Sequence, residues 1–362
     1  MGSKKIMITA GGTGGHILPA QAFAQDLLSS GLYDITFCAH GLSHNKFFKK
    51  HLFTYVDILS APLSKKLFKC LKSFYFIAKG IWQSWFLLRK NPPDLVVGFG
   101  SYHTFSFLIA CILKKIPFVL YEANTFPGKV NRYLAPFAKA IYGSFQDLQN
   151  HLNRPVTWVK APLSLDLNLT KEEAWSYFQL DNDLFTILVF GGSQGSGSIN
   201  EVFLKSLPEI KKMLPFQVIH LVGYKHDVSS FSLEYKKLGI KACVKNFEEC
   251  MSLAWTAADL VISRSGATTI WEQIYFSVPS VLVPYPHSSD NHQKLNAIFM
   301  EKKVKGGLMI EEKRFSSESL LIILRKIFAH QHQDLKRMQT SLSLFAEGSE
   351  WSALVDKVKR YL

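Results

Sequence analysis

The feature that most constrains this chain is Gly11-Gly12-Thr13-Gly14-Gly15-His16, between the apolar run Ile6–Thr9 and Ile17-Leu18-Pro19-Ala20. That order predicts a strand, a glycine loop and a helix. Pro19 is expected in the first helical turn, where its missing N–H is not needed. Such a loop turns backbone N–H groups and a helix N-terminus toward an anion, usually a phosphate. Neither common phosphate motif is met. Ile17 stands where G-x-G-x-x-G needs its third glycine, and the G-x-x-x-x-G-K-[ST] lysine is missing. A turn that needs positive φ at several glycines is the structural alternative. His16 is the only titratable side chain in the loop.

The rest of the first half alternates β-prone runs with helical stretches. Strands are predicted at Ile6–Thr9, Ile35–Ala39, Tyr55–Leu59, Leu95–Gly98, Phe118–Tyr121, Ala140–Tyr142 and Val156–Val159, with helices between them. The rhythm restarts at Phe185–Phe190, which runs into a second glycine loop, Gly191-Gly192-Ser193-Gln194-Gly195-Ser196-Gly197, and another helix. Strands Val218–Val222, Ala242–Val244, Leu260–Ser263, Ser280–Val283 and Gly307–Ile310 follow. Repeated βα units read as parallel sheets covered on both faces, with ligands beyond the carboxyl ends of the strands. The fold class is therefore α/β: two doubly wound, Rossmann-like parallel-sheet domains with an inter-domain cleft. The 362 residues fit two domains, expected at 1–162 and 163–342, with a last helix over about 343–362 packing back on the first.

Hydrophobic residues make up 48% of the chain and charged ones 19%, which marks it as folded. A net charge of +14 makes anionic lipid, nucleic acid and phosphorylated substrates the candidate partners. Cys38, Cys70, Cys111, Cys243 and Cys250 form no C-x-x-C, which points to a reducing compartment and away from disulfides or zinc. No apolar signal core follows Lys4-Lys5. Leu95 to Leu113 carries no Asp, Glu, Lys or Arg, yet the loop around Gly98-Phe99-Gly100 makes strand, loop and helix the better reading than a membrane span.

Several stretches carry chemistry. In the second glycine loop, Ser193, backbone N–H groups and the helix start suit a diphosphate. Thr268 and Thr269 begin a helix, and Glu272 lies about a turn in, where a carboxylate accepts ribose hydroxyls or answers the helix dipole. Gln293 and Asn296 offer amides suited to sugar hydroxyls. Asp181-Asn182-Asp183 resembles a metal pair but reads as turn chemistry, and no metal is expected. Lys65, Lys66, Lys69, Lys72 and Lys79 interleave with Phe68, Phe74, Tyr75, Phe76, Trp82, Trp85 and Phe86. A basic aromatic helix of this kind either lies in the interface of an anionic membrane or faces the core with a solvated lysine edge. No nucleic-acid motif accompanies the charge, so no nucleic-acid partner is expected.

Six segments occur in order: Gly11–His16, Gly98-x-Gly100-x-Tyr102, Glu122-x-Asn124, Gly191-Gly192-Ser193-Gln194-Gly195, Arg264-Ser265-Gly266-Ala267-x-Thr269-x-x-Glu272 and Asn291-His292-Gln293-x-x-Asn296-Ala297. Each alone is a weak signal. The ordered set, from residue 6 to about residue 310, resembles the bacterial MurG family of glycosyltransferase-B enzymes. The resemblance implies inverting transfer of GlcNAc from UDP-GlcNAc to the 4-hydroxyl of undecaprenyl-linked lipid I, in peptidoglycan synthesis, without a cofactor. It implies a peripheral enzyme on the cytoplasmic face of the inner membrane. By the family pattern Thr13, Gly14, Gly15, Asn124, Ser193, Glu248, Ala267, Thr268, Thr269, Ile270, Glu272 and Gln293 contact the donor, with Glu248 contributing mainly backbone. His16 is the candidate base or acceptor-positioning group, and Tyr102 lies near the acceptor.

Three positions depart from the pattern. Ser164 stands where the family has an arginine, Tyr121 where it has a histidine, and the Ser101-Tyr102-His103 loop has fewer glycines. His103 is thus an alternative proton acceptor. Two rival readings stay open: a glycosyltransferase-B enzyme acting on another membrane lipid such as diacylglycerol, and a non-catalytic UDP-sugar sensor.

Overall fold

The computed structural model describes residues 3–62, 67–192, 194–348 and 352–362. The chain divides into two compact units, residues 1–164 with 350–362, and residues 165–349. In chain order the first contains β1 (Lys4–Thr9), α1 (Gly14–Leu28), β2 (Tyr33–Ala39), β3 (Thr54–Asp57), α2 (Leu67–Lys90), β4 (Leu95–Gly98), α3 (Phe105–Leu113), β5 (Phe118–Glu122), α4 (Lys129–Leu134), β6 (Ile141–Gly143) and β7 (Val156–Lys160). The second contains α5 (Lys171–Phe178), β8 (Phe185–Phe190), α6 (Gly197–Met213), β9 (Phe216–Leu221), α7 (Val228–Lys237), β10 (Ala242–Lys245), α8 (Met251–Ala257), β11 (Leu260–Ser263), α9 (Ala267–Phe276), β12 (Ser280–Leu282), α10 (His292–Phe299), β13 (Gly307–Met309) and α11 (Ser317–Glu347). Then β14 (Ser352–Ala353) and α12 (Leu354–Val358) close the first unit.

Both sheets are parallel. The first runs β14-β7-β6-β5-β4-β1-β2-β3 and the second β10-β9-β8-β11-β12-β13. In the first, Ile6 pairs Ile35 on one side and Leu95 on the other. In the second, Ile187 pairs Val218 and Leu260. Strand order reverses beside β1 in the first sheet and beside β8 in the second. At such a switch point the connections leave on opposite faces and open a crevice at the strands' carboxyl ends. Both glycine loops follow these two strands.

Burial explains the unbroken apolar runs, because a parallel sheet is covered on both faces. On β8, Ile187 and Val189 pack with Phe203, Leu207 and Leu324, while Leu188 and Phe190 pack with Ile219 and Trp255. The period of two thus sends alternate residues into two cores. In the first unit Val96, Phe118, Leu120 and Ile141 pack with Phe107 and Cys111 of α3.

The structure departs from the sequence reading at three places. Pro19 is inside α1, not in its first turn, because the helix begins at Gly14 with His16 N and Ile17 N bonding Thr13 O at 3.2 Å. The ring costs one helical bond, to the carbonyl of Gly15, and not an idle end position. The expected last helix over about 343–362 instead contains a short edge strand, β14, paired in parallel with β7, and then α12. Finally, the return to the first unit starts at residue 350, later than the expected 343. Residues of α11 up to Phe345 stay on the second unit, where Phe345 meets Trp271 and Phe299 and Ser343 Oγ bonds Ser277 Oγ at 2.9 Å. Gln331 and His332, with positive φ, interrupt α11.

Lys65 and Lys66 of the basic aromatic stretch lie outside the described residues, as do the side chains of Leu67, Phe68 and Lys69. Over the rest of α2 the buried positions are Ser73, Ile77, Gly80, Ser84 and Leu88, one stripe at helical spacing. The aromatic residues point the other way. Gly80 is where the helix comes closest: a Cβ there would stand 1.7 Å from Leu59 O. We expect Gly80→Ala to destabilise the first unit by about 2–3 kcal/mol in urea unfolding, as overpacking against backbone does. Unchanged stability would mean that α2 is free to slide.

Candidate active site

In the first unit, the loops after β1, β4 and β5 leave the same end of the sheet. Thr13 is the exposed N-cap of α1, and Gly14 and Gly15 are its first helical residues. His16, half-buried, bonds through Nδ1 to the carbonyl oxygen of Phe99, at 2.9 Å, in the loop after β4. A carbonyl only accepts, so Nδ1 carries the proton and a neutral ring keeps its lone pair on Nε2. Asn45 Nδ2 bonds Gly12 O at 2.7 Å and steadies the turn. Tyr102 is 39% exposed, and its ring stacks on His103 with centroids 3.8 Å apart.

His103 is a weak base at neutral pH. Burial, then His40 and His16, lower it from the ordinary histidine value to about 4. Its Nδ1 is already engaged, by Ser101 Oγ at 2.8 Å.

Asn124 is fixed by Glu122, a buried carboxylate at the end of β5. Glu122 accepts from Asn124 N and Nδ2 at 3.1 Å, and from Gly128 N and Asn131 Nδ2 at 2.9 Å. Four donors on one carboxylate hold the whole Asn124–Asn131 loop. Asn131 Nδ2 also donates to Tyr121 O at 3.1 Å. The sequence motif pointed to Glu122-x-Asn124 but not to this organising role. Ser164 is exposed and closes the first unit.

In the second unit the loops after β8, β9, β10, β11 and β12 share one end of the sheet. Ser193 lies outside the described residues. The second glycine loop is packed tightly: a Cβ on Gly195 would meet Val222 O at 2.2 Å. Ser196 caps α6 through Ile199 N, and Arg264 Nη2 donates to the same Ser196 Oγ at 2.8 Å. Arg264 is buried and spent on structure. It also pairs with Glu312 and donates to Val283 O at 3.1 Å. Burial pushes Glu312 up, but bonds from Arg264 and Ser198 hold it below the usual carboxylate value. A second buried set stands behind the loop. His220 Nε2 meets Asn200 Oδ1 at 3.1 Å, His220 Nδ1 meets Tyr235 OH at 2.8 Å, and Asn200 Nδ2 donates to Val222 O at 3.0 Å. Burial, then His226, lower His220 to about 3, so it is neutral. Neither set was found from sequence; the signal was an arginine or histidine inside an apolar strand context.

The expected donor residues fall as follows. Ala267, Thr269 and Ile270 are buried and Thr268 half-buried on the first turn of α9. Ile270 points into the core, so it can offer a ligand only its backbone. Gln293 Oε1 accepts from Tyr285 N at 2.9 Å, and its Nε2 has no hydrogen bond among the described residues. Asn296 is fully buried and donates to Ser265 O at 3.1 Å. Glu248 is buried and committed to Lys245 at 2.7 Å, Cys250 N at 2.8 Å and Tyr177 OH at 3.3 Å. Its side chain is therefore structural, which leaves its backbone for a ligand.

Burial raises Glu272 to about 7, and the Trp255 indole offsets only part of this. The folded chain binds that proton more tightly than the unfolded one, so ionisation costs stability. Relative to Glu272→Gln, the wild type should lose stability from the ordinary value of 4.5 up to about 7, then level off. Glu272 is half-buried; urea unfolding at about pH 5 and about pH 8 checks this loss, and a difference independent of pH would show that its carboxyl is not held above the ordinary value.

The chain is similar to known proteins over most of its length. Residues 6–143 match the glycosyltransferase family 28 N-terminal domain, and residues 186–350 match the glycosyltransferase family 28 C-terminal domain. It is 45% identical over 325 residues to a UDP-N-acetylglucosamine--N-acetylmuramyl-(pentapeptide) pyrophosphoryl-undecaprenol N-acetylglucosamine transferase of Protochlamydia amoebophila, covering 88% of this chain and 86% of that one. The enzyme of the same name in Chlamydia pneumoniae is 32% identical over 349 residues, 95% of this chain and 94% of that one. The crystal structure of Acinetobacter baumannii MurG has the same fold, with a TM-score of 0.79 at 24% identity and 99% of each chain covered. The chain thus belongs to glycosyltransferase family 28, among the N-acetylmuramyl-(pentapeptide) pyrophosphoryl-undecaprenol N-acetylglucosamine transferases.

Proposed function

We propose that this protein transfers GlcNAc from UDP-GlcNAc to the 4-hydroxyl of undecaprenyl-linked lipid I, with inversion at the anomeric carbon. The observation that carries the reading is the 45% identity to a transferase of that name across 88% of the chain. The geometry of His16 supports it. In the proposed step the acceptor oxygen attacks C1 of the sugar, the C1–O bond to UDP breaks, and the acceptor proton moves to His16 Nε2. Imidazole suits this because it titrates nearest neutrality. Its Nδ1–H donates to Phe99 O, which puts the lone pair of the neutral ring on Nε2.

The proposal gives the second unit the nucleotide. Glu272 and Gln293 would accept and donate toward hydroxyls, and the backbone around Glu248 would meet the base. The N-terminus of the 17-residue helix α6 would stabilise charge on departing UDP. The reading includes no cofactor. In an assay with UDP-GlcNAc, a lipid I analogue and excess EDTA, we expect turnover by the wild type. His16→Ala should lower kcat roughly 100-fold or more, with UDP binding retained. Equal turnover would remove His16 as the base, and transfer to diacylglycerol instead would favour the other lipid class.

We also propose that α2 rests on an anionic membrane surface, at the cytoplasmic face of the inner membrane. Its outward face carries Phe74, Tyr75, Trp82 and Phe86, each about half exposed or more, with Lys72 and Lys79 among them. A core-facing helix would bury these rings, and this one buries Ser73, Gly80 and Ser84 in their place. Among the described residues no helix is long and apolar enough to cross a membrane. The expected result is binding to anionic vesicles that weakens with salt and is lost in Trp82→Ser/Phe86→Ser. Equal binding to neutral vesicles would remove the charge from the account.

A further inference from the structure

The loop after β4 holds one residue in a backbone region that does not suit it. Ser101 has φ 75 and ψ 150, conformations that glycine adopts freely and L residues avoid. Gly100 before it, at φ 79, has no such conflict. A glycine at 101 would remove the strain. The serine therefore has to contribute something through its hydroxyl that offsets it.

That hydroxyl bonds His103 Nδ1 at 2.8 Å. Thr104 closes the turn, donating from N and Oγ1 to Ser101 O at 3.1 and 2.9 Å. One side of the His103 ring lies on the bare backbone of the first glycine loop. A Cβ on Gly11 would stand 2.4 Å from His103 Cβ, and one on Gly12 would stand 3.0 Å from its Cε1. The ring also stacks with Tyr102 and, at 5.7 Å, with His40. The same loop supplies Phe99 O to His16. One short segment thus touches the glycine loop, the proposed base and the exposed tyrosine.

We propose that Ser101 and His103 are a positioning pair for the transfer reaction: the hydroxyl locks the imidazole flat against Gly11-Gly12, and so fixes the loop that carries His16. The proposal rests on the functional reading above. It separates the two histidines. His103 stays neutral at working pH and adds no positive charge beside His16.

The test compares the wild type with Ser101→Gly, Ser101→Ala and His103→Ala, measuring kcat, the KM for UDP-GlcNAc and Tm with a lipid I analogue. Ser101→Gly relieves the strain and removes the hydroxyl. It should keep or raise Tm while kcat falls roughly 10- to 100-fold, as small misplacements of catalytic groups do, at unchanged KM. Ser101→Ala keeps the strain, so it should lose Tm and a similar share of kcat. His103→Ala should lower kcat by a similar factor. Wild-type kcat in Ser101→Gly overturns the pair alone. So does a fall in kcat that merely tracks Tm across the three variants. No GlcNAc transfer by the wild type itself rejects the functional reading, and the pair with it.

Discussion

At the carboxyl ends of the central strands glycines approach their neighbours so closely that a Cβ would not fit, and the functional loops hang on those contacts. In the first unit Gly11 and Gly12 lie against the His103 side chain. In the second, Gly195 and Gly223 face each other so closely that a Cβ on Gly223 would stand 2.4 Å from Gly195 Cα. A parallel sheet brings all its βα turns to one end, and a reversal of strand order opens space there. Glycine keeps that space narrow enough for main-chain N–H groups to reach a ligand. Both glycine loops use one physical device, on two sheets of related strand order.

Buried polar sets hold these turns in place. Glu122 gathers the loop after β5, and Arg264 with Glu312 ties the N-cap of α6 to the loops after β11 and β12. His220, Asn200 and Tyr235 do the same from behind β9. A buried charge or amide is costly unless its partners are complete, so each set specifies one arrangement of the loops it touches. This also explains why the Arg264 guanidinium has a structural role. Its donors are spent on carbonyl oxygens, a serine and a carboxylate.

The outward face of α2 follows a different rule. Small residues at Ser73, Gly80 and Ser84 let the helix approach the body of the first unit closely, and its rings are left outside. Lys72 and Lys79 lie near Phe76 and Tyr75, at 5.8 and 6.0 Å from the ring centroids. Cations beside exposed rings suit an interface that is apolar beneath and anionic above.

Much was legible in the chain itself. Continuous apolar runs ending in glycine or polar turns marked the strands, because a strand covered on both faces has no polar side to show. The stretches that hold His16, Asn124, Glu272 and Gln293 could be placed for the same reason: each is the loop or helix that follows such a strand. What tertiary structure decided were the pairings across long sequence separation. These include which nitrogen of His16 carries its proton, that Arg264 is spent internally, and that Ser352–Ala353 completes the first sheet. Local pattern encodes burial and turn chemistry. The partner of a buried polar atom is set by packing between segments up to about 200 residues apart, which no local window contains.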